Sequence, residues 1–308
     1  MNILVHGAGA LGAYFGGRLA EVGENVSFFV RDKRAAQLRK EGLHIHSPEG
    51  NMEIKDPVLF TSPDDITDID LIILAVKGYH LDGVLPQLKQ IQQNTGAFVL
   101  PLLNGMEHMP RLQEAVGAEN VLGGFVAIIA TLNEKGHVEH TNAKGSLKFG
   151  PIHEKQRGIC RELADIGHRA NTTIKQVDDI TKEMWSKYIY ITAFSGVTAT
   201  TRLPHRFTLN NEATFAVSKN MIKEMAMLAE KDGTPYTEEE IQEIQDRLRK
   251  TPMDATSSMH QDLRKGLPIE VEHLHGGALR YAKKYNVSVP VVETVYGLLK
   301  PYENGAPE

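Results

Sequence analysis

The sequence predicts an α/β domain over residues 1–177, built on a parallel sheet wrapped by helices, followed by an all-helical domain over residues 178–308. Three observations carry this expectation. A chain of 308 residues is long enough for about two domains. Up to residue 177, short apolar or β-branched runs alternate with longer helical patterns: Ile3 to Val5, Val26 to Val30, Leu71 to Val76 and Phe98 to Leu100. From Asp178 onward the strand signal stops, and helical periodicity punctuated by caps takes over.

Composition narrows the function classes. With 41% hydrophobic and 24% charged residues the balance is that of a globular protein, not a disordered or fibrous one. Lys plus Arg (34) against Asp plus Glu (39) gives a net charge of -5, so no basic field exists to hold a nucleic acid. The single cysteine, Cys160, cannot form an internal disulfide, which fits a reducing compartment. The chain starts directly in an apolar strand with no basic leader, so no signal peptide is expected. Its longest clean apolar run, Leu71 to Val76, falls far short of the ~20 residues of a membrane helix. A soluble, cytoplasmic protein with no membrane or nucleic-acid partner is expected.

The elements follow in order. Gly7-Ala8-Gly9-Ala10-Leu11-Gly12 leaves the first strand and opens a helix from Ala10 to Val22. His44 to Ile54 and Val121 to Gly150 read as paired strands with turns at Pro48-Glu49-Gly50 and Glu134-Lys135-Gly136, expected to continue the same sheet. In the second half, Phe215, Ile222, Met225 and Leu228-Ala229 recur at core spacing on a long helix closed by Asp232-Gly233. Thr237 to Glu240 fits a capping box opening a helix that runs toward Lys250. Gly266 and Pro268 mark a stop and a start, so one helix should end near Arg264 and the next begin at Pro268. The tail Glu303 to Glu308 should fray.

The glycine loop is the dinucleotide fingerprint in its required strand-to-helix context, the mark of a Rossmann-type domain. Gly7 makes the tight turn, Gly9 lets the backbone approach a pyrophosphate, and Gly12 allows close helix packing, with the helix N-terminus facing the phosphates. The residue ending the second strand chooses the cofactor: an acid holds a free ribose hydroxyl, an arginine a 2'-phosphate. Here it is Arg31, followed by Asp32, Lys33 and Arg34, and the balance favours NADP(H), a solvated charge cluster being the alternative. Lys77 and Asn104-Gly105-Met106 each follow a parallel strand at its carboxyl end, where ligands bind, although either could be a plain turn.

Lys187 shares a helical stripe with Ile180, Met184, Ile191 and Ser195. A lysine in a core stripe either snorkels to an edge or faces a cleft, where desolvation lowers its pKa and lets it protonate a carbonyl oxygen. Ser258 and Glu270 flank the Gly266/Pro268 break and could meet at one site. Glu270 would lie in the first turn of its helix, where the dipole favours its anion or it serves only as a cap, and Glu272 should face another side. The His44/His46 and His273/His275 pairs lack metal-ligand spacing, so no metal is expected. Cys160 reads as a packing residue, and Trp185 and Tyr188 as core or cleft wall.

Taken in order, the glycine loop at Gly7, Arg31, Lys77, Asn104-Gly105-Met106, Trp185-x-Lys187, Ser257-Ser258-Met259 with Gln261-Asp262, and Glu270 resemble the ketopantoate reductase (2-dehydropantoate 2-reductase) family over nearly the whole chain. The resemblance implies a Rossmann-type domain joined to a helical domain similar to the C-terminal domain of 6-phosphogluconate dehydrogenases, with the active site in the cleft between. It implies that Gly7, Ala8, Gly9, Ala10, Leu11 and Gly12 cradle the NADPH pyrophosphate and Arg31 the 2'-phosphate. Lys77, Asn104 and backbone near Ala130 would lie along the nicotinamide half. Lys187 would be the general acid, Ser258 would bind substrate and Glu270 would contact the bound ligands. The implied reaction is NADPH-dependent reduction of 2-dehydropantoate to (R)-pantoate, in pantothenate and coenzyme A biosynthesis, with a homodimer as an open option. Family members commonly carry asparagine where this chain has Ile191 and Ser195, and another where it has His205. A related 2-oxo acid substrate is therefore an alternative, as is a non-catalytic NADP(H)-sensing protein.

Overall fold

The computed structural model describes residues 1–307. The chain divides into two compact units: Met1–Leu103 with His108–Ile180, and Asn104–Glu107 with the chain from Thr181 onward. The first unit runs β1 (Asn2–His6), α1 (Ala10–Glu21), β2 (Asn25–Phe29), α2 (Asp32–Glu41), β3 (Leu43–His46), β4 (Met52–Ile54), β5 (Val58–Phe60), β6 (Leu71–Leu74), α3 (Leu81–Thr95), β7 (Phe98–Pro101), α4 (His108–Val116), β8 (Gly123–Ala127), β9 (Ala130–Leu132), β10 (Val138–His140), β11 (Ser146–Gly150), α5 (Arg157–Gly167) and β12 (Thr173–Gln176).

Its main sheet has the order β5-β2-β1-β6-β7 and is parallel throughout. Parallel strands covered on both faces need apolar side chains at every position. Ile3 to Val5 and Leu71 to Leu74 meet that demand, each with no exposed surface. Strand order reverses between β1 and β6, which puts the glycine loop at the switch point where such sheets bind ligands.

The two paired-strand segments do not continue this sheet. They form two further sheets, β4-β3-β10-β9 and β12-β11-β8. One parallel bridge, Val99 to Val121, touches the β7 edge, and then Gly123-Gly124 carries the chain away to pair antiparallel with β11. A Cβ on Gly124 would lie 2.3 Å from Leu100 Cδ1, so a larger residue here would have to displace the buried Leu100 side chain. A buried polar hub ties the extra strands to α1. The Glu49 carboxylate accepts from Tyr14 Oη at 2.7 Å and from the Gly145 N–H at 2.8 Å, while Arg18 Nη2 donates to Gly50 O at 2.6 Å.

The second unit holds most of α6 (Ile180–Thr201), then α7 (His205–Leu209), α8 (Glu212–Lys231), α9 (Glu238–Arg249), α10 (Ser258–Arg264), a π-helical turn over Glu272–Gly276, α11 (Gly277–Tyr285) and α12 (Pro290–Leu299). Helix α6 has no solvent face along most of its length: Trp185, Tyr188, Ile189 and Ala193 are buried, as are Met184 and Ser195. A helix covered on nearly every side sits at the centre of its domain. The capping box forms, with Thr237 Oγ1 accepting from the Glu240 N–H and Glu240 Oε2 from the Thr237 N–H. Gly233 (φ +91) closes α8, and Gly266 (φ +66) follows α10.

Two expectations are corrected here. No helix begins at Pro268, because the Ile269 N–H donates to Glu303 O at 3.1 Å and helical winding starts at Val271. For the same reason residues 303–306 do not fray: the Ala306 N–H also returns to Gly266 O, and Gly305 is buried. Glu308 lies outside the described residues. Among the described residues no helix is long and apolar enough to cross a membrane, and no three His, Cys, Asp or Glu side chains are grouped to hold a metal ion.

Candidate active site

In the first unit the glycine loop leaves β1 with its backbone fixed by a Gly7 N–H bond to Phe29 O at 3.0 Å. Gly7 lies in the left-handed region (φ +100), and a Cβ there would meet Ala75 O at 2.9 Å. A Cβ on Gly12 would sit 1.9 Å from Gly7 O. Gly9 differs: it is exposed, and nothing lies within 4 Å of where its Cβ would be. That open space beside a bare backbone is what a pyrophosphate needs. Helix α1 starts with no side-chain cap and no acid in its first turn, leaving the N–H groups of Ala10, Leu11 and Gly12 for an anion. The loop therefore fits a dinucleotide.

Arg31 is exposed and occupies the N-cap position of α2. Arg34, counted in the sequence only as charge, is engaged elsewhere. Its Nε donates to Ala8 O at 2.9 Å and its Nη2 to Gly136 O at 3.0 Å, bracing the glycine loop against the β9–β10 turn. Lys77 is half-buried at the head of a short 3-10 turn after β6. Ala130 opens β9, which packs against α1.

In the second unit three of the expected residues come together. Lys187 Nζ donates to Asn104 Oδ1 at 2.8 Å. Burial, partly offset by the nearby charge of Glu270, lowers the Lys187 pKa from 10.5 to about 8. Asn104 follows β7 in sequence yet packs with the helical unit, which brings it to Lys187. Glu270 is buried just ahead of the π-helical turn, where its carbonyl accepts from the Leu274 N–H and its carboxylate has the benefit of the helix dipole. Glu272 faces elsewhere, bonded to Arg280, Tyr296 and Lys300.

Ile191, half-buried, and Ser195, buried, continue along α6 one and two turns from Lys187. Ser258 is exposed at the first residue of α10. The buried serine is its neighbour Ser257, which caps α10 through the His260 N–H and bonds Thr198 Oγ1 at 3.0 Å. His205 is buried with Nε2 at 2.8 Å from Leu248 O. Trp185 and Tyr188 are core, and Cys160 is fully buried with its thiol pushed up to about 12.

Comparison with known proteins matches the family profile described as Ketopantoate reductase PanE/ApbA to residues 3–154, and its C-terminal counterpart to residues 179–303. The chain belongs to the ketopantoate reductase PanE/ApbA family. It is 34% identical over 303 residues to the uncharacterized oxidoreductase YkpB of Bacillus subtilis (strain 168), covering 98% of this chain and 99% of the relative. A 2-dehydropantoate 2-reductase of Pyrococcus horikoshii is 28% identical over 304 residues, covering 99% and 98%. Among solved structures, a PanE/ApbA family ketopantoate reductase from Ralstonia eutropha JMP134 is 25% identical with a TM-score of 0.86, covering 98% of each chain. The Rossmann-type unit followed by a helical unit is thus the family architecture.

Proposed function

We propose that the chain is an oxidoreductase that reduces 2-dehydropantoate to (R)-pantoate with NADPH, in pantothenate and coenzyme A biosynthesis. Residues 1–177 serve as the cofactor domain and 178–308 as the substrate and catalytic domain. The observation that carries this reading is the Lys187 ammonium: half-buried, held by Asn104 at 2.8 Å and brought down to about 8, it can give up a proton near neutral pH. Family membership and the name of the Pyrococcus horikoshii relative support the substrate.

The bound dinucleotide supplies the hydride. Backbone from Gly7 to Gly12 would hold its pyrophosphate, Arg31 its 2'-phosphate, and Lys77, Asn104 and the backbone near Ala130 its nicotinamide half. Lys187 hydrogen-bonds the 2-oxo oxygen and protonates it as negative charge develops there. Asn104 aims the ammonium, Glu270 contacts the bound ligands, and Ser258, Ile191 and Ser195 contact the substrate. The working compartment is the cytoplasm, and a homodimer is compatible with the reading.

One observation favours a second reading. Ile191, a turn from Lys187, offers no donor or acceptor, and an unpaired polar group left on the substrate would cost about 1–3 kcal/mol. A 2-oxo acid with an apolar side chain would avoid that cost. Following NADPH absorbance with 2-dehydropantoate, for the parent and for Lys187→Ala, tests the proposal. Turnover in the parent and its loss in a variant that still binds NADPH is the expected result. Unchanged turnover in Lys187→Ala would remove this lysine from the mechanism.

A further inference from the structure

The segment that carries Asn104 is held by an ionic clasp to which no role has yet been given. Arg280 Nε donates to Glu107 Oε1 at 2.6 Å and Nη2 to Glu107 Oε2 at 2.7 Å, a bidentate fork. The same guanidinium bonds the Glu272 carboxylate through Nη1 and the Glu272 carbonyl oxygen, at 2.8 Å, through Nη2. Its charge is reinforced first by Glu107 and then by Glu272, which raises its pKa further. Glycine at position 277 makes room for the clasp: a Cβ there would lie 3.0 Å from Glu107 Oε2 and 3.1 Å from Tyr188 Oη.

The other partner of the Asn104–Lys187 bond is anchored to the same place. Tyr188, next to Lys187 on α6, is buried and donates through Oη to Leu274 O, in the middle of the π-helical turn, at 2.5 Å. π-Helical turns are rare and recur at functional sites. Here the turn takes Tyr188 on its backbone while Arg280, bonded to its first residue, reaches across to Glu107. Both sides of the Lys187–Asn104 contact are therefore fixed to one short stretch, Glu272–Gly276, and to the start of α11. Gly105 (φ +81) turns the segment so close to that stretch that a Cβ would lie 3.4 Å from His273 O.

We infer that Glu107 and Arg280 are positioning residues: their ion pair, acting with Tyr188 on the π-helical turn, fixes Asn104 against the Lys187 ammonium. The inference rests on Lys187 being the proton donor, and its test separates the two claims. Arg280→Met, which keeps the stem and loses the fork, is measured alone and combined with Asn104→Ala. The readouts are kcat, KM and an NMR titration of the Lys187 ammonium in lysine-labelled protein, its signal assigned with Lys187→Arg.

If the clasp acts through Asn104, Arg280→Met lowers kcat by roughly 10- to 100-fold, the range for losing a hydrogen bond to a charged group. The NADPH KM stays within about twofold, and the Lys187 midpoint moves as it does in Asn104→Ala. In the Asn104→Ala background Arg280→Met costs no more than about a further twofold. A parent-like kcat and midpoint in Arg280→Met, or full additivity in the double variant, overturns the inference. So does lower thermal stability with an unmoved midpoint, the mark of a merely structural pair. Should Arg280→Met fail to fold, Glu107→Gln, which keeps the shape and weakens the fork, is judged by the same midpoint. If Lys187→Ala keeps its activity, the proton-donor reading fails, while the NMR midpoint still decides whether the clasp sets Asn104.

Discussion

Replacing Asn104 with alanine removes the acceptor that lies 2.8 Å from the Lys187 ammonium. Burial already holds that ammonium at about 8, below its ordinary 10.5. A hydrogen bond to a charged group contributes about 1.5–3 kcal/mol, and 1.36 kcal/mol corresponds to about one pH unit. Losing it should lower the Lys187 midpoint by roughly 1 to 2 pH units, because the bond favours the charged form. Reduction requires the ammonium, so kcat/KM is flat below the midpoint and falls about tenfold per pH unit above it. At about pH 8 the parent is half protonated, and the variant should lose roughly 5- to 50-fold from protonation alone. The reverse oxidation should rise with pH through the same midpoint. Asn104→Asp is the opposite perturbation: a carboxylate beside the ammonium raises the midpoint above that of the parent. The assay is kcat/KM against pH for all three proteins. Midpoints that stay together, or move the same way in both variants, would show that the Asn104–Lys187 bond does not set the profile.

The glycine loop offers a contrast between substitutions at two of its glycines, Gly9 and Gly12. Gly9 has φ -71 and ψ -169, open to any residue, and no neighbour within 4 Å of a Cβ, so Gly9→Ala should keep stability within about 0.5 kcal/mol. It should nevertheless weaken dinucleotide binding by more than about tenfold, since the methyl takes the phosphate's place; parent-like binding would mean that the open space is not the phosphate site. Gly12→Ala puts a Cβ 1.9 Å from Gly7 O and should cost about 1–3 kcal/mol or more in urea unfolding. Arg31→Ala should raise the KM for NADPH roughly 10- to 100-fold and leave that for NADH nearly alone. Equal changes for the two cofactors would sink the 2'-phosphate assignment. Arg34→Met, which loosens the brace on Ala8 O, should by contrast weaken both cofactors alike.

Local signals were legible in the sequence. The strand Ile3 to Val5, the glycine loop, the Thr237 capping box and the Gly233 stop each depend on neighbours within a few residues, and each forms as the pattern implies. Features set by distant partners were not. The extra strands separate from the main sheet through Gly124 against Leu100 and through a Glu49 hub that joins Tyr14, Gly145 and Thr172. The helix after Gly266 starts late because the chain near residue 303 pairs with Ile269. Strand β5 escaped notice because it is three residues long and only half-buried at the sheet edge.

At the candidate site, Lys187 stood out because a charge on a stripe otherwise at core spacing needs a reason, and Asn104 because it follows a parallel strand. That these two meet depends on residues 104–107 packing with the helical unit. The fork that holds them there spans 173 residues of sequence, so no local pattern betrays it. Arg34 was visible only as charge, because its bonds to the carbonyls of Ala8 and Gly136 depend on the folded loop.

The most direct test is NADPH oxidation with a panel of 2-oxo acids that includes 2-dehydropantoate, with NADH and Lys187→Ala in parallel. The account predicts the highest kcat/KM for 2-dehydropantoate with NADPH, and a loss of about 10²- to 10⁴-fold in Lys187→Ala with NADPH binding retained. Preference for another 2-oxo acid would contradict the substrate and point to Ile191 and Ser195 as the cause. Silence across the whole panel, with NADPH still bound, would contradict the enzyme and leave a dinucleotide-sensing protein.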